Sequence, residues 1–145
     1  MGCYMIIVLD TSVVVAALRT RSGVGNAVLR LVAQRHVTIL ATPPLFLEYE
    51  EVLKRPEHRL AHGLTPEGVD EFLAELAALI EPVELHFQWR PQGRDPNDEM
   101  VLEAAINGRA DVLVTYNLAD FVGVAERFRI SVIHPADLLK RMKIR

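Results

Sequence analysis

Five short runs of β-branched and aliphatic residues recur along the chain, at 5–9, 37–41, 83–87, 112–115 and 130–133. Four are almost continuously apolar, the pattern of strands covered on both faces of a parallel sheet. The run at 83–87 alternates, with Glu84 and His86 between apolar neighbours, and is predicted to lie at the periphery. Between the runs the apolar spacing becomes helical. Val69, Phe72, Leu73, Leu76 and Ile80 form one stripe behind Thr65-Pro66, an N-cap followed by a first-turn proline. Asp95-Pro96 opens another helix in the same way, with Val101, Leu102 and Ala105 turned inward. Further helices are predicted at 11–19, 24–34, 43–54 and 136–142. Strands alternating with helices predict an α/β sandwich with local, right-handed crossovers. No repeat, low-complexity tract or linker interrupts the pattern, so residues 1–145 read as one domain.

Composition agrees with a packed core: half of the residues are hydrophobic and 24% are charged, which excludes a disordered chain. No apolar run approaches the about 20 residues that span a bilayer. The opening MGCYMIIVLDTSVVVAAL lacks the basic start and the cleavage site of a signal peptide, and Asp10 interrupts its apolar stretch. A soluble, cytoplasmic protein is expected. The single cysteine, Cys3, has no partner for a disulfide or a thiolate metal site.

The net charge of −3 is unevenly spread. Residues 11–47 hold Arg19, Arg21, Arg30 and Arg35 and no acid, whereas residues 48–103 hold 14 acids against 5 bases. Lys140, Arg141, Lys143 and Arg145 crowd the C-terminus. This pattern fits either a basic phosphate-binding surface beside an acidic centre or ordinary solvated helix faces.

Open parallel sheets bind ligands beyond the carboxyl ends of their strands, and acids recur at those positions. Asp10 ends the first run; Thr11 and Ser12 are able to cap the following helix, which leaves the carboxylate without a local task. A carboxylate at the end of a buried strand is costly unless paired or metal-bound. Within LFLEYEEVLKR, Glu50 has Lys54 and Glu51 has Arg55 four residues on, both surface ion-pair spacings. Glu48 has Val52 at that place and is the odd acid of the three. Asp95 reads as an N-cap. Asp98 reads either as a capping-box acid or, above Val101 and Leu102, as a group directed at the site. Thr115, Asn117 and Asp120 follow in VLVTYNLADF, which alone is also consistent with a turn and a helix start.

Several acids without clustered cysteine or histidine suit Mg²⁺ or Mn²⁺ rather than zinc. Such ions neutralise a phosphodiester's charge and activate water. His58 and His62 share a helical spacing but no HExxH pattern; His36, His86 and His134 are scattered, and all five read as structural or surface residues. The glycines of GVGNA lack a dinucleotide fingerprint, and neither a P-loop nor a GxSxG elbow is present.

The ordered blocks VLDTSVVVAAL, ATPPLFLEYEEVLKRP, RDPNDEMVLEAAINGRADVLVTYNLADF and ISVIHPADLL resemble the PIN-domain family. More narrowly they resemble the PIN toxins of bacterial and archaeal toxin–antitoxin systems. The resemblance implies a three-layer α/β/α fold with a central, mainly parallel sheet. It implies a Mg²⁺- or Mn²⁺-dependent endoribonuclease that leaves 5′-phosphate and 3′-hydroxyl ends, a cognate antitoxin and a homodimer. The family's first three acids fall on Asp10, Glu48 and Asp98, as catalytic and metal-binding residues. Ser12 and Thr115 match its supporting polar positions. Many PIN nucleases have a fourth aspartate where this chain has Asn117, so Asn117 and Asp120 share that corner. Arg19 and Arg21 are candidates to hold the RNA backbone, as is the C-terminal basic cluster. The alternatives are a non-catalytic RNA- or protein-binding module on the same scaffold, which Asn117 keeps open, and a receiver-like domain. The receiver-like reading is disfavoured because His134-Pro135, not a lysine, follows the last apolar run.

Overall fold

A computed structural model describes residues 5–86 and 96–142. The four continuous apolar runs form β1 (Ile6–Leu9), β2 (Thr38–Ala41), β4 (Val112–Val114) and β5 (Ser131–Ile133). With β3 (Ile80–Pro82) they make one five-stranded sheet in the order β3-β2-β1-β4-β5, parallel throughout. Helices flank it: α1 (Thr11–Arg19), α2 (Val24–Ala33), α3 (Pro43–Leu53), α4 (Pro56–His62), α5 (Pro66–Leu79), α6 (Pro96–Gly108), α7 (Val122–Arg127) and α8 (Pro135–Arg141). Burial of Ile7, Val8 and Leu9 together with Ile39 and Leu113 places the core on the three central strands. The expected α/β sandwich is present, and among the described residues no helix is long and apolar enough to cross a membrane.

One strand lies elsewhere than predicted. Residues 83–86 are irregular and Phe87 lies outside the described residues; the edge strand is Ile80–Pro82, immediately after α5. Ile80 therefore leaves the helical stripe, whose buried members are Val69, Leu73 and Leu76. Pro82 in an apparent helix-to-strand junction reads as a breaker, but β3 pairs only with β2, so a missing N–H is tolerated on its open side. The helices α4 and α7 were not among those predicted either, whereas the turn of 3₁₀ helix at Leu118–Asp120 falls where VLVTYNLADF was consistent with a turn and a helix start. The predicted caps at Thr42 and Thr65 accept hydrogen bonds from Leu45 N at 3.3 Å and Gly68 N at 3.0 Å. Asp95 and Cys3 lie outside the described residues.

Candidate active site

β1 is the central strand, and its pairing continues one residue past Leu9 through a 2.9 Å bond from Asp10 N to Val114 O. Asp10 thus emerges at the carboxyl end of the sheet, only 5% exposed. It stands at the N-cap of α1 but its side chain does not cap. Oδ2 instead accepts from Ser12 Oγ at 2.8 Å and from Thr115 Oγ1 at 2.7 Å. Each hydroxyl in turn accepts a backbone N–H, Ser12 from Tyr116 at 3.4 Å and Thr115 from Asn117 at 2.9 Å. Those N–H groups can only donate, which leaves both hydroxyl protons for the carboxylate. The expectation that Thr11 or Ser12 caps α1 is therefore corrected: Ser12 serves Asp10, and Thr11 Oγ1 is buried without a hydrogen bond among the described residues.

Glu48 reaches the site by helical periodicity. Leu45, Glu48, Tyr49, Val52 and Leu53 form the buried face of α3, and Glu48 is 8% exposed. Glu50 and Glu51 pair outward as their spacing predicted. Lys54 Nζ lies 2.9 Å from Glu50 and 2.7 Å from Asp70, and Arg55 grips Glu51 with bonds of 2.7 and 3.1 Å. The hydrogen bond to Glu51 is the main reason that Arg55 is held above its ordinary pKa; the charges of Glu48 and Glu57 add to it. Glu48 thus does feel a cation, one seven residues on rather than four.

Tyr49 ties the Glu48 helix to the Asp10 strand. Its hydroxyl, fully buried, donates to Leu9 O at 2.6 Å. Burial first and the negative charge of Asp10 second push this phenol far above its usual pKa, so it stays a donor at any working pH.

Asp98 is the third residue of α6 and half-buried; Asp120 closes the 3₁₀ turn and is exposed, as is Asn117 just before that turn. Asp10, Glu48, Asp98 and Asp120 all line one cleft of about 500 Å³, together with Ser12 and Asn117. Thr115 is fully buried beneath Asp10 rather than in the cleft wall. Arg19 lines the cleft, whereas Arg21 lines a separate depression with Asn26 and Arg30. Among the described residues, no three histidine, cysteine or acidic side chains already converge as ligands of a single ion. Lys140 and Arg141 lie in α8, and Lys143 and Arg145 outside the described residues.

The cleft also holds residues that the sequence reading passed over. Arg55, His58 and Tyr116 line it, so the surface on which His58 lies is that of the cleft. His62 and His134 are structural as predicted. His62 spans Leu53 O and Leu64 N at 3.0 Å each, and His134 caps α8 and packs edge-on against Tyr116. Glu99, 5% exposed beside Asp98, is a further buried acid. The test that singled out Glu48 would have found it, because its i+4 neighbour is Glu103.

A family model described as PIN domain matches residues 6–119, a span that includes Asp10, Glu48, Asp98 and Asn117 and stops one residue short of Asp120. No curated protein matches the chain. Among solved structures, the chain is similar to a crystal structure of VapBC2 from Rickettsia felis bound to a DNA fragment from their promoter. The TM-score is 0.60 and the identity 17%, over 90% of this chain and 98% of that one. On the match across most of its length, with the parallel sheet behind it, the chain belongs to the PIN-domain family.

Proposed function

We propose that this chain is a Mg²⁺- or Mn²⁺-dependent endoribonuclease, the toxin of a toxin–antitoxin pair. The observation that carries the reading is the meeting of four carboxylates in one cleft, from four separate places in the fold, around an Asp10 held by two hydroxyls. Their donor set is oxygen only, which fits a hard divalent cation and not zinc. Asp10 and Asp98 would hold the ion, with Glu48, Asp120 and the Asn117 carbonyl completing its surroundings directly or through water. Bound there, the ion would supply charge neutralisation and an activated water for phosphodiester hydrolysis. Ser12 and Thr115 hold the Asp10 carboxylate in one orientation, which lowers the cost of reorganising it during reaction. Arg19 and His58, with the guanidinium hydrogens of Arg55 that Glu51 leaves over, supply the donors that an anionic backbone needs beside so many acids. Single-stranded or looped RNA is the favoured substrate, since its backbone can enter an edge cleft.

The structural likeness to VapBC2 supports, at the level of fold, a cognate antitoxin as partner; a homodimer and a cytoplasmic location belong to the same reading. The experiment is cleavage of a mixture of fluorescent RNAs by the purified chain with Mn²⁺, with Mg²⁺ and with EDTA, beside Asp10→Asn. Cleavage that needs the ion and is lost in the variant is expected. Metal-independent cleavage, or full activity of Asp10→Asn, would overturn the carboxylate mechanism. RNA binding without cleavage would favour the non-catalytic module, the reading that Asn117 at the cleft keeps alive.

A further inference from the structure

Among the described residues, three non-glycine residues adopt positive φ, and all three are arginine: Arg35 at 62°, Arg109 at 53° and Arg129 at 60°. Each sits in the same structural position. Arg35 N bonds to Val32 O and His36 N to Leu31 O; Arg109 N to Ile106 O and Ala110 N to Ala105 O; Arg129 N to Glu126 O and Ile130 N to Ala125 O. These are the paired bonds of a Schellman turn, whose left-handed residue is ordinarily glycine because a Cβ is strained there.

Each turn delivers the chain to the start of a strand, β2, β4 and β5 respectively. The strands are parallel, so all three arginines stand at one end of the sheet, opposite the end that carries Asp10. With β1 between β2 and β4, the row covers three strand steps, about 14 Å at ~4.8 Å each. All three side chains are exposed, and none is engaged in an ion pair or a side-chain hydrogen bond among the described residues. Of the acids adjoining the row, Asp111 accepts the Ile6 amide at 2.8 Å, Glu81 shares a depression with Arg35 and Glu126 precedes Arg129 by three residues. None forms an ion pair with a row arginine among the described residues. Arg55 in the cleft is different, since it is already gripped by Glu51.

A turn chosen only for its backbone would carry glycine or asparagine, and a cation chosen only for solubility has unstrained helix positions open to it. The same costly choice is made three times along one edge. We infer that this row is a second nucleic-acid site, which takes consecutive backbone phosphates of a single strand on the face remote from the cleft. Guanidinium groups pair with phosphate in bidentate fashion, and a row about 14 Å long is able to engage successive phosphates of one strand. The choice of RNA as that strand rests on the ribonuclease reading; the row itself reads only phosphate.

The test is binding of a fluorescent single-stranded RNA, and of a DNA of the same sequence, in EDTA. It uses chains that all carry Asp10→Asn, so that nothing is cut. Three arginines on phosphate contribute a salt slope of about −2 in log K against log salt. Replacing all three (Arg35→Gly, Arg109→Gly, Arg129→Gly) should remove that much of the slope while raising Tm by about 2–4 °C for each position relieved of strain. The triple arginine-to-lysine chain should keep the slope. Loss of binding with a raised Tm cannot be misfolding. A larger loss for RNA than for DNA assigns the row to RNA, and equal losses make it a reader of either backbone. An unchanged slope in the glycine chain overturns the inference, even if the chain with native Asp10 cleaves RNA. If the chain with native Asp10 cleaves no RNA with Mn²⁺ or Mg²⁺ but the slope still depends on the row, the ribonuclease reading falls and the row stands.

Discussion

Asp10 and Tyr49 meet at the end of β1 from different sides: Thr115 and Ser12 engage the carboxylate, while the buried phenol holds the carbonyl of Leu9. Hydrogen bonds to a charged group are worth about 1.5–3 kcal/mol. Thr115→Val should therefore lower stability by about that much, seen as a fall in Tm, and reduce RNA cleavage at least tenfold. Thr115→Ser, which keeps the donor, should restore most of both. Tyr49→Phe removes only the tie between helix and strand; an expected loss of about 1–2 kcal/mol in denaturant unfolding would be accompanied by a smaller change in cleavage than Thr115→Val. At this scale much of the site was readable in the sequence, because a carboxylate after MIIVL has no inexpensive explanation. Glu48 was readable from a missing i+4 cation. The partnership of Asp10 with Thr115, 105 residues away, carries no local signal at all; it exists only because β1 and β4 are neighbours in the sheet.

Elements position these residues through close approaches that small side chains permit. A Cβ on Gly25 of α2 would come within 3.1 Å of Ala17 N and Val13 O, backbone atoms of α1 that cannot rotate away. Alanine ordinarily gains about 1 kcal/mol over glycine inside a helix. Here Gly25→Ala should instead lose about 1–2 kcal/mol through overpacking, and it should weaken cleavage as well, because α1 begins at Asp10 and Ser12. A neutral or raised Tm in a melting experiment would show that α1 yields. Gly108, where an added Cβ would collide with Leu40 Cδ1, explains how α6 can end against β2. Such contacts are invisible to periodicity, which sees each helix alone. The same blindness misplaced the edge strand: Ile80 continues the α5 stripe and Pro82 looks like a stop, yet β2 supplies a pairing partner that overrides both signals.

Across the whole molecule the cleft carboxylates and the left-handed arginines stand at opposite ends of the parallel sheet. Acids gathered in one cleft repel one another, and that repulsion is relieved by whatever cation they bind. Metal affinity and stability are therefore linked, and Mn²⁺ should raise Tm in the absence of any RNA. An ion at about a hundred times its Kd contributes about 2.7 kcal/mol, and EDTA should reverse the gain. Asp98→Asn should abolish most of the rise and change the metal-free Tm little, because relief of repulsion among the cleft acids offsets the favourable first-turn charge that is lost from α6. The fourth corner gives the sharper comparison. Asn117→Asp adds a carboxylate where the chain has an amide, and should tighten Mn²⁺ binding about tenfold while lowering the metal-free Tm. Asp120→Asn should do the reverse if the exposed acid at the end of the 3₁₀ turn belongs to the site. Calorimetric titration with Mn²⁺ separates the two, and unchanged affinity in both variants would leave the ion to Asp10, Glu48 and Asp98 alone.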